Sequence, residues 1–455
     1  MTIRAKLLLA STLAVFPLFA AVAITRPKDA ILLVCAPVAV VLAARSPAYP
    51  VALSGLPTLV IALLNRDPFP HGVVTAAFFG WTMLAIALML IARGAELPTA
   101  LVVRGSMLFS LLLAIDLLLR LSVSGAHAYG SQKLQLYVLQ NLVLLLAGAL
   151  IIQSRAHFDR LVSATLVIAG LSGLLLLYRL SRGEAQAVFD SRFTISSLEN
   201  PIQLGRQAAD GLLFGTYVLL SAGRARTRAA ATVITPVLAL ALLAAGSRGP
   251  VLGAAVGLVM LFAVLTRDRL VRKRMVSFVV AAAAGALLAT QLLPGQSIHR
   301  SLSILSGSGS GLSSNGRFHL WSEAWHMFTA HPLLGDGTGS FLAVDGFNQY
   351  PHNLLLEAAA ELGIVGLALV VAFVGSSALS LVRARASALV ARSEIAVIAA
   401  LLASAVTNAM FSGDMPTNSD VWFAGGLALG LAFRSAGREA APVPDQPAMD
   451  STRSR

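Results

Sequence analysis

The feature that most constrains this chain is the recurrence of uncharged apolar runs separated by short basic clusters. A bilayer core about 30 Å thick takes about 20 apolar residues in helical form. Runs near 7–24, 29–44, 50–64, 72–92, 97–122, 134–152, 160–178, 205–222, 229–246, 250–265, 275–294, 354–382, 392–411 and 419–434 answer that need. The second and third are short, as in a re-entrant or strongly tilted pair, so the expectation is 12 to 14 spans with an even number favoured. Inside hydrocarbon every backbone N–H and C=O must be satisfied within the segment, which selects helices. Only 12% of residues are charged and 57% are hydrophobic, whereas soluble domains carry about 25% charged residues. A water-soluble fold is excluded, and the expected class is an all-α polytopic membrane protein.

The basic clusters set the orientation. Arg224, Arg226 and Arg228, then Arg267 to Arg274, then Arg383, Arg385 and Arg392, then Arg434 and Arg438, lie between spans. The positive-inside rule makes these regions cytoplasmic. Alternation then puts 179–204, 246–250, 295–353 and 412–418 outside. Counting back places Arg155, Arg160, Arg93, Arg45 and the N-terminus inside, so both termini are expected in the cytoplasm. The net charge of +13 is spread over these clusters rather than gathered in a stripe, which argues for orientation and against nucleic acid. The first apolar run resembles a signal peptide but is followed at once by others, and reads as an uncleaved span. One cysteine, Cys35, allows neither an intrachain disulfide nor a CxxC metal site.

Four regions follow: an N-terminal transmembrane bundle (1–294), a long outer loop (295–353), C-terminal transmembrane helices (354–436) and a disordered cytoplasmic tail (437–455). The loop opens with the flexible run Ser306 to Ser314. A helix is expected from Arg317 to Thr329, with Leu320, Trp321, Ala324, Trp325 and Phe328 on one face. That helix would lie in the membrane interface with its tryptophans at headgroup level. Pro332 and the glycines of Gly335-Asp336-Gly337-Thr338-Gly339 stop it.

Ionisable groups at membrane depth are costly, which makes each a candidate for function. His352 sits where the loop enters the span at Leu354; it suits a general base, because its ordinary pKa is near ambient pH, or a local helix cap. Arg192, Arg206, Arg248 and Arg317 remain on the outer side against the charge bias. Guanidinium clamps phosphate through paired hydrogen bonds, although snorkelling or ion pairing also holds arginines there. Arg120 lies four residues from Asp116, which suggests an intrahelical ion pair or a further phosphate contact. Glu357 and Glu361 would orient the histidine or pair with an arginine. No phosphate loop, HExxH motif or metal cage is present in the sequence.

Several of these stretches together resemble the O-antigen ligase/polymerase superfamily of bacterial envelope glycosyltransferases. They are Gly316-Arg317 through Trp321, His331-Pro332-Leu333-Leu334-Gly335-Asp336-Gly337-Thr338-Gly339-Ser340-Phe341, Tyr350-Pro351-His352-Asn353-Leu354-Leu355-Leu356-Glu357 and Glu361-Leu362-Gly363-Ile364-Val365-Gly366. Gly246-Ser247-Arg248-Gly249 and Asn200-Pro201-Ile202 resemble upstream features more weakly. The likeness spans about 200–366. It implies a GT-C-type architecture in the inner membrane with a periplasmic active site. The donor would be a glycan on undecaprenyl pyrophosphate and the acceptor lipid A-core. The reaction would invert the anomeric centre without metal or other cofactor. His352 would then be the base; Arg206, Arg248 and Arg317 would lead the pyrophosphate contacts, with Arg192 and Arg120 behind them; Asn353, Glu357 and Glu361 would support them. A polymerase acting on lipid-linked repeats is the alternative. The short polar tail speaks against a protein O-oligosaccharyltransferase, and the missing inverted repeat speaks against a transporter of lipid-linked glycan.

Overall fold

The computed structural model describes residues 38, 40–53, 59, 71–93, 105–188, 192–195, 200–221, 225–265, 317–346 and 348–437. The expected spans at 7–24 and 275–294, the run Ser306 to Ser314 and the tail from 438 lie outside these residues, as does most of the pair at 29–44 and 50–64.

The described chain is helical apart from one short hairpin. Beyond a short helix at Ala48–Ala52, the helices are α1 (His71–Arg93), α2 (Ser106–Leu121), α3 (His127–Ile151), α4 (Arg155–Ser181), α5 (Pro201–Leu220), α6 (Ala225–Ala244), α7 (Arg248–Leu265), α8 (Arg317–Ala330), α9 (Phe341–Asp345), α10 (Leu354–Ala384), α11 (Arg392–Ala409) and α12 (Ser419–Gly437). Strands β1 (Gln186–Val188) and β2 (Arg192–Thr194) pair antiparallel between α4 and α5, with Ala187 opposite Phe193. Among the described residues, six helices are long and apolar enough to cross a membrane: α3, α4, α6 (from Arg226), α7, α10 and α11. The chain is an all-α polytopic membrane protein.

Lipid supplies no hydrophobic force between helices, so close backbone approach has to hold them together. Along α7, Gly249, Gly253 and Gly257 recur every fourth residue and leave one face bare against α11. A methyl group at Gly253 would lie 2.8 Å from the Ser404 carbonyl oxygen, and one at Gly257 would lie 2.9 Å from that of Ala400. Helix α12 meets α3 in the same manner through Gly148, Gly426 and Gly430. Aromatic side chains pack the α3–α10–α12 junction: buried Trp422 of α12 stacks on Phe373 of α10 at 5.2 Å and meets Tyr137 of α3 edge-on.

Helix α10 is broken inside its span, at Gly363 (φ 67°, ψ −158°), a conformation that belongs essentially to glycine. A break in a spanning helix frees backbone groups that hydrocarbon cannot satisfy. Here the segment after α8 takes them. Asp336 N–H donates to Ala360 O (3.1 Å), Gly337 N–H to Glu361 O (2.9 Å), and Ile364 N–H to Pro332 O (2.8 Å). This accounts for two of the sequence stretches at once: Pro332 to Gly337 docks on the break made by Leu362-Gly363-Ile364.

Candidate active site

His352 occupies the turn between α9 and α10. It carries φ 58°, a left-handed backbone that costs an L-residue about 1–2 kcal/mol. The cap of α10 is Asn353, whose Oδ1 accepts from the N–H groups of Leu355 and Leu356, both at 3.1 Å. The local capping role open to His352 in the sequence therefore belongs to its neighbour. The ring of His352 meets Tyr350 edge to face at 4.7 Å. Its Nδ1 is buried with no hydrogen-bond partner among the described residues. Burial first, then the Arg317 charge, pushes its pKa down to about 4. At neutral pH the imidazole is therefore uncharged and able to accept a proton. Burial, with Asp414 and Glu357 nearby, raises the pKa of the Tyr350 hydroxyl, so the phenol stays protonated.

Helix α8 runs Arg317–Ala330, one residue beyond the expected end. Its buried face differs from the expected one. Leu320, Ala324 and Met327 are turned inward against Phe341, Leu356 and Ala360, while Trp325 is 55% exposed. Trp321 is half-buried. It donates its N–H to Pro351 O at 3.1 Å and lies against Phe411 at 6.4 Å. A backbone carbonyl left over by the turn provided the partner, which helical periodicity has no means of showing.

Near this turn lies an open cleft lined by Arg192, Ile202, Gly246, Ser247, Arg248, Gly249, Pro250, Arg317, Phe411 and Ser412. It draws on four regions distant in sequence, each of which charge alternation assigns to the same side of the membrane. Three of the sequence-selected arginines meet here, and Arg317 and Arg192 both act electrostatically on His352. The first turns of α5 (Ile202), α7 (Arg248 to Pro250) and α8 (Arg317) also open onto the cleft. Helix N-termini carry partial positive charge and suit anions. This arrangement is chemically suited to an anion, and Arg317 and Arg192 lie within electrostatic reach of His352.

The other selected residues lie apart from the cleft lining. Arg206 is 7% exposed and is bound to the segment Phe411–Asn418. It donates to Thr417 O at 2.6 Å and Asn418 Oδ1 at 2.7 Å, and lies 3.8 Å from Asp420. Arg120 pairs with Asp116 across one turn of α2 at 3.4 Å. Glu357 and Glu361 are bound neither to His352 nor to an arginine. Both hold Lys133 of α3, at 2.7 and 2.6 Å.

Lys133 and the turn Phe411–Asn418 are what sequence reading missed. The apolar run of that span opens at residue 134 and leaves Lys133 just outside it. The helix begins earlier, at His127, and carries the ammonium into the bundle, 1% exposed. Among the described residues, no group of three or more His, Cys, Asp or Glu side chains is placed to hold a metal ion.

Residues 232–371 match the protein family described as O-antigen ligase. The match takes in Arg248, Arg317, His352 and the break in α10, and it supports the O-antigen ligase superfamily. Arg192, Arg206 and the Phe411–Asn418 turn lie outside the matched range. No curated protein matches the chain.

Proposed function

We propose that this chain, with its O-antigen ligase superfamily match, transfers a glycan from undecaprenyl pyrophosphate to lipid A-core at the periplasmic face of the inner membrane. The observation that carries this reading is the meeting of Arg192, Arg248 and Arg317 in one cleft, with Arg317 and Arg192 in electrostatic reach of a neutral, half-buried His352. The match of residues 232–371 to the O-antigen ligase family makes a glycan transfer the expected chemistry.

Pyrophosphate is a competent leaving group, so the protein has two tasks. It removes a proton from the acceptor hydroxyl, and it stabilises charge developing on the departing oxygen. His352 takes the proton on a ring nitrogen as the hydroxyl oxygen bonds to the anomeric carbon. The bond from that carbon to the phosphate oxygen breaks on the opposite face, so the centre inverts, and its electron pair passes to the pyrophosphate. Arg192, Arg248 and Arg317, with the α5, α7 and α8 N-termini, hold that charge. Arg206 keeps the Phe411–Asn418 wall in place, and Arg120 steadies the end of α2. No step needs a metal or a cofactor.

Purified protein supplied with the undecaprenyl-pyrophosphate glycan and lipid A-core, with products resolved on gels, tests the reading. Capped lipid A-core should form without added metal or ATP. Full activity in His352→Ala would remove the base. Formation of lipid-linked polymer alone would assign a polymerase. Transport across vesicles without transfer would assign a carrier.

A further inference from the structure

The strongest polar cluster outside the cleft is one cation between two carboxylates, all buried. Lys133 Nζ lies 2.7 Å from Glu357 Oε1 and 2.6 Å from Glu361 Oε2, and the three side chains are 2% exposed or less. Such a site is costly to desolvate and is weak evidence for added stability. Its other bonds suggest a different purpose. Glu361 Oε2 also accepts the N–H of Gly339 at 2.8 Å, and Glu357 Oε1 accepts that of Met415 at 3.1 Å. One turn before Lys133, Tyr129 donates to Asp414 Oδ2 at 3.0 Å.

Gly339 belongs to the segment leading into α9 and the His352 turn. Met415 belongs to the Phe411–Asn418 segment, whose Phe411 and Ser412 line the cleft. Both carboxylates stand on the first two turns of α10, directly after His352. Within α3 the helix then widens to a π turn over Tyr137–Leu142, a feature frequent at functional sites. It aims Asn141 Nδ2 at Met415 O (3.0 Å) and Gln140 at Ser419 Oγ (3.0 Å).

We infer that Lys133 is a positioning residue for His352: by holding Glu357 and Glu361 it fastens the two loops that flank the His352 turn to the start of α10. Lys133 itself lines no part of the cleft and acts through these carboxylates. The inference rests on the reading of His352 as the base, but its geometry can be measured separately.

The test uses the full chain in nanodiscs and two variants, Lys133→Met and Lys133→Met/Glu361→Gln. The double variant loses one positive and one negative charge, so its formal charge equals that of the wild type, and it carries the measurement if the single variant fails to fold. Two quantities are read: kcat and donor KM, and the titration of His352 by NMR of ¹⁵N-histidine-labelled protein, assigned against His352→Ala. A displacement of about 1 Å costs about a hundredfold in rate. The expected result is kcat lower by about a hundredfold with donor KM within about threefold. The His352 titration should move up from about 4 towards the ordinary histidine value, because a loosened turn admits water. Wild-type kcat in a folded double variant overturns the inference, and so does an unmoved His352 titration whatever the rate. Should His352→Ala remain fully active, the catalytic reading falls, while the titration still decides whether Lys133 holds the turn.

Discussion

Trp321 donates its indole N–H to the carbonyl oxygen of Pro351 at 3.1 Å, and so pins the residue that precedes His352 to the second turn of α8. The helix expected in the outer loop thereby braces the candidate base. Trp321→Phe keeps the ring and removes the donor. A single hydrogen bond contributes about 1 kcal/mol, so thermal stability in detergent should change little. Transfer activity should fall about tenfold or more, because placement of the imidazole sets the rate. Equal activity in both proteins would show the bond to be incidental.

His352 carries a strained backbone for which glycine has no penalty. His352→Gly relieves about 1–2 kcal/mol and loses about 0.5–1 kcal/mol to chain entropy, so its melting temperature should match or slightly exceed the wild type. Activity should fall by about 10²–10⁴, the usual contribution of a general base. A stability loss as large as the activity loss would make His352 a structural residue.

The pH profile has a sign that follows from the cleft. Protonation removes the base, and burial with Arg317 keeps His352 neutral down to about pH 4. The acid limb of kcat/KM, which reports the free enzyme, should therefore lie near 4 instead of near 6.5, with activity retained as pH falls through 5. A bound pyrophosphate offsets the positive charge of Arg317 and Arg192. Protonation of His352 then becomes easier, and the acid limb of kcat should lie above that of kcat/KM. Coincident limbs near 6.5 would contradict the buried placement.

The arginines should divide into two kinds. Arg192→Lys and Arg248→Lys keep the charge and lose the paired hydrogen bonds; donor KM should rise by about tenfold or more with little change in thermal stability. Arg206→Met should lower stability and activity together, since Arg206 holds the carbonyl of Thr417 and the side chain of Asn418. If Arg206→Lys raised KM alone, Arg206 would belong with the phosphate contacts.

The break in α10 gives a backbone test. A methyl group at Gly363 would fall 2.5 Å from the carbonyl carbon of Leu333, at a φ of 67°. Gly363→Ala should cost on the order of 3 kcal/mol or more, read as lost thermal stability and lost activity. Gly375, in the same helix with nothing within 4 Å, is the control; Gly375→Ala should be neutral or stabilising by about 0.5–1 kcal/mol.

Much of this was legible in residue order. Apolar runs located the long spanning helices such as α1, α5, α7 and α11, because span length is imposed by the bilayer and not by neighbouring helices; α8 was legible from its periodicity, and α9 carried no such signal. The order of the Arg317, Pro332–Gly339, Tyr350–Asn353 and Glu361–Gly366 stretches pointed to the family that residues 232–371 match. The inward turn of Trp321 was not legible, since periodicity reports which residues are apolar and not which carbonyl awaits a donor. Nor was Lys133, whose place inside the bundle depends on a helix that starts seven residues before the apolar run does.

The sequence by itself determined the solvent, the helical class, the sidedness expected for each loop and the chemical types available outside. All of these follow from local composition, because a segment meets lipid or water alone. Only the tertiary structure decided which residues meet. It gathered Arg192, Arg248 and Arg317 into one cleft, set Arg206 and Arg120 apart, and gave Glu357 and Glu361 to Lys133. Most of these meetings join segments far apart in sequence, and close packing at glycine-lined faces, not composition, fixes which side chains come within reach.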